Sequence, residues 1–185
     1  MAENKNKNKD VDVIKELNDL RQLDYDAAKT YEEAISRIDE IEVKEDLEIF
    51  RRDHVRHMDE LAIAVGVLGG EVKEVGRDLK GTLLEGMTKL RSVTGTKGAL
   101  SAMRMNEKFT NKSYEEASQL ALPETARELV LRNLADERRH LETIQMHLDR
   151  LTGAGAEEEP GEEVPEVVEV EEEVVVIAPE PRPGA

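Results

Sequence analysis

Cysteine is absent from the 185 residues, which excludes disulfides and thiolate metal sites. Tryptophan is absent too, and the aromatic residues are two Phe and three Tyr, so a core has to be built from Leu, Ile, Val, Ala and Met. Glycine does not occur in residues 1–65, and the only proline before residue 160 is Pro123. Long stretches are therefore free of helix breakers. No apolar run approaches bilayer length, and the opening MAENKNKNKD lacks the apolar segment of a secretory signal. A cytoplasmic protein with no membrane association is the expectation.

Basic charge is scarce, but unevenly so. Residues 153–185 hold eleven Glu and one Arg and account for −10 of the net −16, leaving −6 for residues 1–152. A moderately acidic domain argues against nucleic acid as a partner. The tail of Glu, Pro and Val cannot bury enough apolar surface to offset its ordering entropy, so residues 153–185 are expected to be disordered. Its apolar run, Val174 to Ile177, leaves two readings open: a solubilising tail, or a docking motif for a protein partner. Residues 1–10 read as a disordered polar arm, and residues 11–152 as one all-α domain.

Within that domain the apolar positions recur at helical spacing. Helix A is expected from about Val11 to Asp39, capped by Asp10 or Asp12, with Leu17, Leu20, Asp24, Ala27, Tyr31, Ala34 and Ile38 facing inward. Helix B runs from about Lys44 to Leu68, stopped by Gly69-Gly70, with Phe50, His54, His57, Leu61, Ala64 and Leu68 inward. Helix C extends from near Lys97 to Gln119, presenting Leu100, Met103, Glu107, Thr110, Tyr114 and Ala117. Helix D opens at Pro123 and ends near Leu151, presenting Val130, Asn133, Glu137, His140, Ile144 and His147. Between B and C lies a long connection with a shorter helix from Asp78 to Val93. Helices of about 25 residues are roughly 37 Å long. A connection of that size can return along the bundle and let B and C run parallel. Exposed Leu or Met on the crossover helix would favour a homo-oligomer.

The chain repeats itself at an offset of 83 residues. Tyr31-Glu32-Glu33-Ala34 returns as Tyr114-Glu115-Glu116-Ala117, Asp24 maps onto Glu107, Asp53 onto Asp136, Arg56 onto Arg139 and His57 onto His140. The pair His54/His57 thus overlies Glu137/His140, both at i,i+3 spacing. Two similar hairpins would bring Asp24, His54, His57, Glu107, Glu137 and His140 to one depth of a shared core. Buried carboxylates need a compensating charge. A cation supplies it, and imidazole with carboxylate suits iron, manganese or zinc. Protonated histidines pairing with the acids in a buried polar layer would supply it as well. Tyr31 and Tyr114 can hydrogen-bond a ligand carboxylate, act as redox-active neighbours, or be ordinary core tyrosines. Asp53 and Asp136, four residues before His57 and His140, can orient those imidazoles, serve as ligands if the helices are rotated, or pair with nearby Arg at the surface.

These residues resemble the ferritin-like superfamily of helical di-iron carboxylate proteins, in which each hairpin gives one Glu from its first helix and Glu-x-x-His from its second. Glu107 with Glu137-x-x-His140 fits that pattern fully. Asp24 with His54-x-x-His57 departs from it, since Asp replaces one Glu and His54 stands where a bridging Glu belongs. Leu68-Gly69-Gly70-Glu71, the connection helix and the Glu107 to Ala117 stretch are also similar to a bacterial ferritin-like branch of unknown function.

The resemblance implies a ferritin-like four-helix bundle with a long crossover, holding up to two iron ions. Glu107, Glu137 and His140 would hold one ion and Asp24, His54 and His57 the other, with Glu137 bridging. It further implies oxidation of Fe(II) by O2 or peroxide in iron handling or oxidative-stress protection, with no catalytic residues beyond the ligands. The missing bridging carboxylate implies weaker or asymmetric binding. The competing expectation is a non-catalytic helical scaffold or stress protein whose acidic tail docks to a partner, as cargo of a protein shell in its narrowest form.

Overall fold

The computed structural model describes residues 2–76 and 95–153, with side chains from residue 13 onward. They form four α-helices: α1 (Ala2–Ile35), α2 (Ile41–Val67), α3 (Gly95–Ser118) and α4 (Glu124–Thr152). No strand occurs among the described residues. The crossover helix expected at Asp78 to Val93 and the tail beyond Gly153 lie outside them.

Helix boundaries follow local chemistry. At the end of α2 the Gly69 backbone takes φ +72°, a left-handed conformation that costs glycine nothing. There the Gly69 and Gly70 N–H groups donate to Gly66 and Val65 carbonyls, closing the helix as the sequence implies. Pro123 is the N-cap of α4, where its missing N–H is no loss. The start of α1 differs from the expectation. The helix begins at Ala2 rather than Val11, and Asp10 and Asp12 lie inside it instead of capping it. The polar stretch 3–10 contains no Gly or Pro, so nothing in it breaks the helix. At its other end α1 stops at Ile35 rather than Asp39, although Ile38 still points into the core beyond it.

Cross-helix pairs fix the directions. Tyr31 bonds Glu107 while Tyr114 bonds Asp24, so α1 and α3 are antiparallel. His147 meets Asp46 and Arg132 meets Glu60, so α2 and α4 are antiparallel as well. With turns joining α1 to α2 and α3 to α4, the helices α2 and α3 must run parallel. The first residues after α2 already turn back along the bundle. Asn18 donates to the Glu71 carbonyl, Arg21 to Lys73 and Gln22 to Gly76, so this strip advances along α1.

The inward lines read from the sequence are buried along α1, α3 and α4. On α2 the line leaves the expected track after Leu61: Val65 is buried, whereas Ala64 and Leu68 are half-buried. The core is divided in two. One apolar cluster includes Leu17, Leu20, Leu61, Val65, Tyr114 and Val130; the other includes Tyr31, Ile38, Leu47, Phe50, Met103 and Ile144. A layer of buried polar side chains lies between them.

Candidate metal centre

Asp24 from α1, His54 and His57 from α2, Glu107 from α3, and Glu137 and His140 from α4 all have zero solvent exposure. The i,i+3 spacing places each helical pair on one face, about 5–6 Å apart at Cβ. Their donor atoms fall into two groups, Asp24–His54–His57–Glu137 and His54–Glu107–Glu137–His140, each with atoms within 4.8 Å of one another. All six residues singled out in the sequence are therefore brought together. The grouping differs in one respect: His54, like Glu137, belongs to both clusters and not to the Asp24 side alone.

The arrangement has an approximate two-fold symmetry that follows the repeat, but its partners are exchanged between halves. Tyr31 donates to Glu107 Oε1 at 2.6 Å and Tyr114 to Asp24 Oδ2 at 2.7 Å. Each tyrosine thus occupies one oxygen of the acid in the opposite hairpin. Likewise His57 Nε2 donates to Asp136 Oδ2 at 3.2 Å, and His140 Nε2 donates to Asp53 Oδ2 at 3.1 Å. Asp53 and Asp136 thus each lie beside an imidazole of the other hairpin, not beside the histidine four positions after them. An acid four positions before a histidine sits one turn along the same helix, whereas Nε2 reaches outward to the neighbouring helix. A carboxylate can only accept, so the aspartates favour hydrogen on Nε2 of both rings, although the Arg56 guanidinium also lies 3.3 Å from His57 Nε2.

Two arginines complete this outer shell. Arg56 donates to Asp53 and Asp136 at 3.0 and 2.6 Å, and Arg139 donates to the same two acids at 2.7 Å each. The sequence offers nearby Arg as surface partners of Asp53 and Asp136, and the pairs form both within and across helices. Their signal was there, because they recur at the same offset immediately before the histidines. Thr110, which donates to Glu107, and Asn133, which donates to the Tyr114 hydroxyl, were read only as inward positions. His147 lies away from the centre, bound to Asp46 at 2.7 Å.

Five buried atoms of the cluster have no hydrogen-bond partner: His54 Nε2, His57 Nδ1, His140 Nδ1 and both oxygens of Glu137. Neighbours are near. His57 Nδ1 is 3.2 Å from Glu137 Oε1, and His54 Nε2 is 3.6 Å from Glu107 Oε1. These contacts fall outside hydrogen-bond geometry, and the atoms belong to residues of the two donor groups. Leaving buried polar atoms unpaired costs about 1–3 kcal/mol each, more when charged. Donors of this type and orientation fit a metal ion, and mixed imidazole and carboxylate suits iron, manganese or zinc.

Electrostatics of the protein alone are consistent with a site that attracts cations. Burial would lower the His54 pKa, but Glu137, Asp24 and Glu107 hold it well above its ordinary value. Burial opposes His57 in the same way, and the adjacent Asp24 and Glu137 carboxylates raise it to about 9. Glu137 shows the reciprocal effect: burial pushes it up, yet the surrounding histidines, His54 first, bring it down to about 2. Burial and then Glu107 raise the Tyr31 hydroxyl well above 10, and burial with Asp24 does the same for Tyr114, so both stay neutral donors.

Among the described residues no helix is long and apolar enough to cross a membrane. No curated protein matches the chain. Among solved structures it is similar to a protein from Bacillus anthracis str. Ames described as "ferritin like, diiron-carboxylate proteins", at 23% identity and a TM-score of 0.59. The match covers 76% of this chain and 97% of that one, and it establishes the ferritin-like fold. The family model described as "Domain of unknown function (DUF2383)" matches residues 12–120, which take in most of α1 and all of α2 and α3, and the chain belongs to that family.

Proposed function

We propose that the chain binds iron at this centre and oxidises Fe(II) with O2 or peroxide, in cytoplasmic iron handling or protection against oxidative stress. The observation that carries the reading is the set of five unpartnered, fully buried donor atoms on residues of the two close-set donor groups. Asp24, His54, His57, Glu107, Glu137 and His140 would be the ligands, and manganese or zinc is the alternative occupant. Fe(II) held there would supply the electrons that reduce the oxidant. The chain's own groups hold and orient. Tyr31 and Tyr114 each hold one oxygen of Glu107 and Asp24, while the other oxygens meet Thr110 and His54. Asp136 and Asp53 fix the tautomers of His57 and His140. The two apolar clusters above and below the layer keep bulk water out.

Elemental analysis after anaerobic reconstitution with Fe(II), Mn(II) or Zn(II) tests this. Up to two ions per chain are expected, with loss in Glu137→Ala. Metal at background in the wild-type chain would reject the reading. With iron bound, oxygen or peroxide consumption separates a ferroxidase from an inert site.

One observation favours a second reading, a non-catalytic helical scaffold. The three imidazoles can neutralise the three carboxylates by taking up protons, so the layer can balance itself without metal. In that reading residues 153–185 would recruit a protein partner, with cargo loading into a protein shell as the narrow case. Pull-down with the whole chain and with a chain ending at residue 152 tests the tail; identical partners in both would count against it.

A further inference from the structure

Followed outward through side-chain hydrogen bonds, the six buried residues reach solvent in one direction. Asp24 and Glu107 lead to Tyr114, Tyr31, Thr110 and Asn133, all of which are fully buried themselves. His57 and His140 lead instead to Asp136 and Asp53, whose side chains are 15% and 17% exposed. Apolar clusters close the layer above and below. Among the described residues, the groove between α2 and α4 is therefore the polar approach to the centre.

Four side chains shut that approach. Arg139 spans the two aspartates with separate nitrogens, each at 2.7 Å, and Arg56 spans them with one, at 3.0 and 2.6 Å. Two acids and two bases leave this ring neutral, so no ion is needed to balance it. Both arginines are exposed, and Arg56 has Glu60 3.6 Å away to receive it when it lets go.

We propose that this ring is the port through which divalent cations reach the centre. Asp53 and Asp136 capture the cation, and Arg56 and Arg139 keep the port shut until they are displaced. The proposal rests on the metal-binding part of the function given above and is independent of any oxidase activity. Three observations support it. Asp53 and Asp136 are the partly exposed carboxylates that touch residues of the centre, and carboxylate oxygen suits a divalent ion arriving from water. Each bears on the Nε2 of an imidazole whose buried Nδ1 has no partner, so one ring separates the mouth from an open donor position. The two rings are also held differently. His140 is stacked on Phe50 at 4.3 Å, whereas His57 has edge contacts alone, with Tyr114 at 6.0 Å and His54 at 5.8 Å. His57 is thus the ring that turns aside, and Arg56, 3.3 Å from its Nε2, is the arginine that must move with it.

A port and a ligand support differ kinetically. Weakening a support speeds release alone, whereas opening a port speeds entry and exit together. Each hydrogen bond to a charged group that must break on opening slows both by about tenfold or more.

The test follows Co(II) uptake by stopped-flow absorbance and then its release to a chelator. It compares the whole wild-type chain with Arg56→Gln, Arg139→Gln and Lys108→Gln. Lys108 lines the groove between α3 and α4, so its replacement removes the same charge from another face. Arg56→Gln and Arg139→Gln should take up and release Co(II) about tenfold or more faster than wild type, to the same final stoichiometry. Lys108→Gln should keep the wild-type rates. Circular dichroism checks that the variants remain helical. Should a Gln variant fail to fold, Arg139→Lys carries the same expectation, because it keeps the charge but loses the two-nitrogen span. Wild-type rates in the arginine variants, faster release alone, or equal acceleration in Lys108→Gln would overturn the port while leaving the metal centre standing. No Co(II) bound by the wild type would overturn both.

Discussion

Metal binding at this centre has to compete with protons, and His57 sets the scale. In the metal-free chain its imidazole is raised to about 9 by its buried carboxylate neighbours, so it is protonated at neutral pH. His54 is raised as well, in the same direction and for the same reason, against the effect of burial. A ligand imidazole must be neutral, so each ion that binds at pH 7 has to expel at least the His57 proton. One proton released makes the apparent affinity rise about tenfold per pH unit, or about 100-fold between pH 6.5 and 8.5. Two protons released, with His54 contributing, would raise that to about 10,000-fold over the same interval. The rise should flatten as the pH passes about 9, where His57 is already neutral. Calorimetric titration with Zn(II) or Mn(II) checks this directly. Runs at one pH in buffers of different ionisation enthalpy count the protons released, and runs across pH give the slope. Affinity unchanged between pH 6.5 and 8.5 with no proton release would refute the reasoning, because it would mean the histidines are neutral before metal arrives.

Three further outcomes follow from the same groups. The raised His57 pKa means its protonated form stabilises the metal-free fold; that contribution is complete below its ordinary 6.5 and is lost as pH rises through about 9. The full interval is worth at most about 3 kcal/mol. Urea unfolding of the metal-free chain should therefore weaken from pH 6.5 to 9, and saturating metal should abolish the decline. Glu137, depressed to about 2, describes the same ion pair from the acid side, and its share is lost as pH falls below 4.5. Asp53→Asn and Asp136→Asn each remove the acceptor that fixes a ligand tautomer and should weaken metal binding about 10–100-fold, measured by chelator competition. Tyr31→Phe and Tyr114→Phe each strip a hydrogen bond from a buried carboxylate and should cost about 1–3 kcal/mol, in similar amounts because the two sites are related by the repeat.

Much of this arrangement was legible before any coordinates, because helical periodicity reports which side of a helix is buried. Asp24, His54, His57, Glu107, Glu137 and His140 fall on inward lines, and the offset of 83 residues places them at one depth. What periodicity does not carry is which neighbour a side chain meets. The exchange of Tyr31 with Glu107 and of His57 with Asp136 depends on how the hairpins are set against each other, which is a property of helix packing across the bundle. The reach of Arg56 and Arg139 is hidden for a related reason: half-exposed arginines on acid-rich helices usually pair locally. Here each also reaches an aspartate on the opposite helix. The early start of α1 at Ala2 has a simpler cause, since a polar stretch free of Gly and Pro has no signal to stop a helix already under way.

The exchange of partners explains why the centre must be judged as a unit. Each hairpin supplies ligands whose orientation is set by the other: Asp136 of the second holds His57 of the first, and Asp53 of the first holds His140 of the second. Neither half alone fixes a tautomer. Three carboxylates and three imidazoles then form one charge-coupled set. With protons held on His54 and His57, the layer offsets much of its own carboxylate charge. With the protons expelled, the same atoms present five free donor positions to cations. Burial permits no third state in which the acids are ionised and the rings neutral with nothing between them, because the uncompensated charge would cost several kcal/mol. Metal and protons are therefore mutually exclusive occupants of one interior, and the proton count on binding distinguishes a metal centre from a self-balanced structural layer.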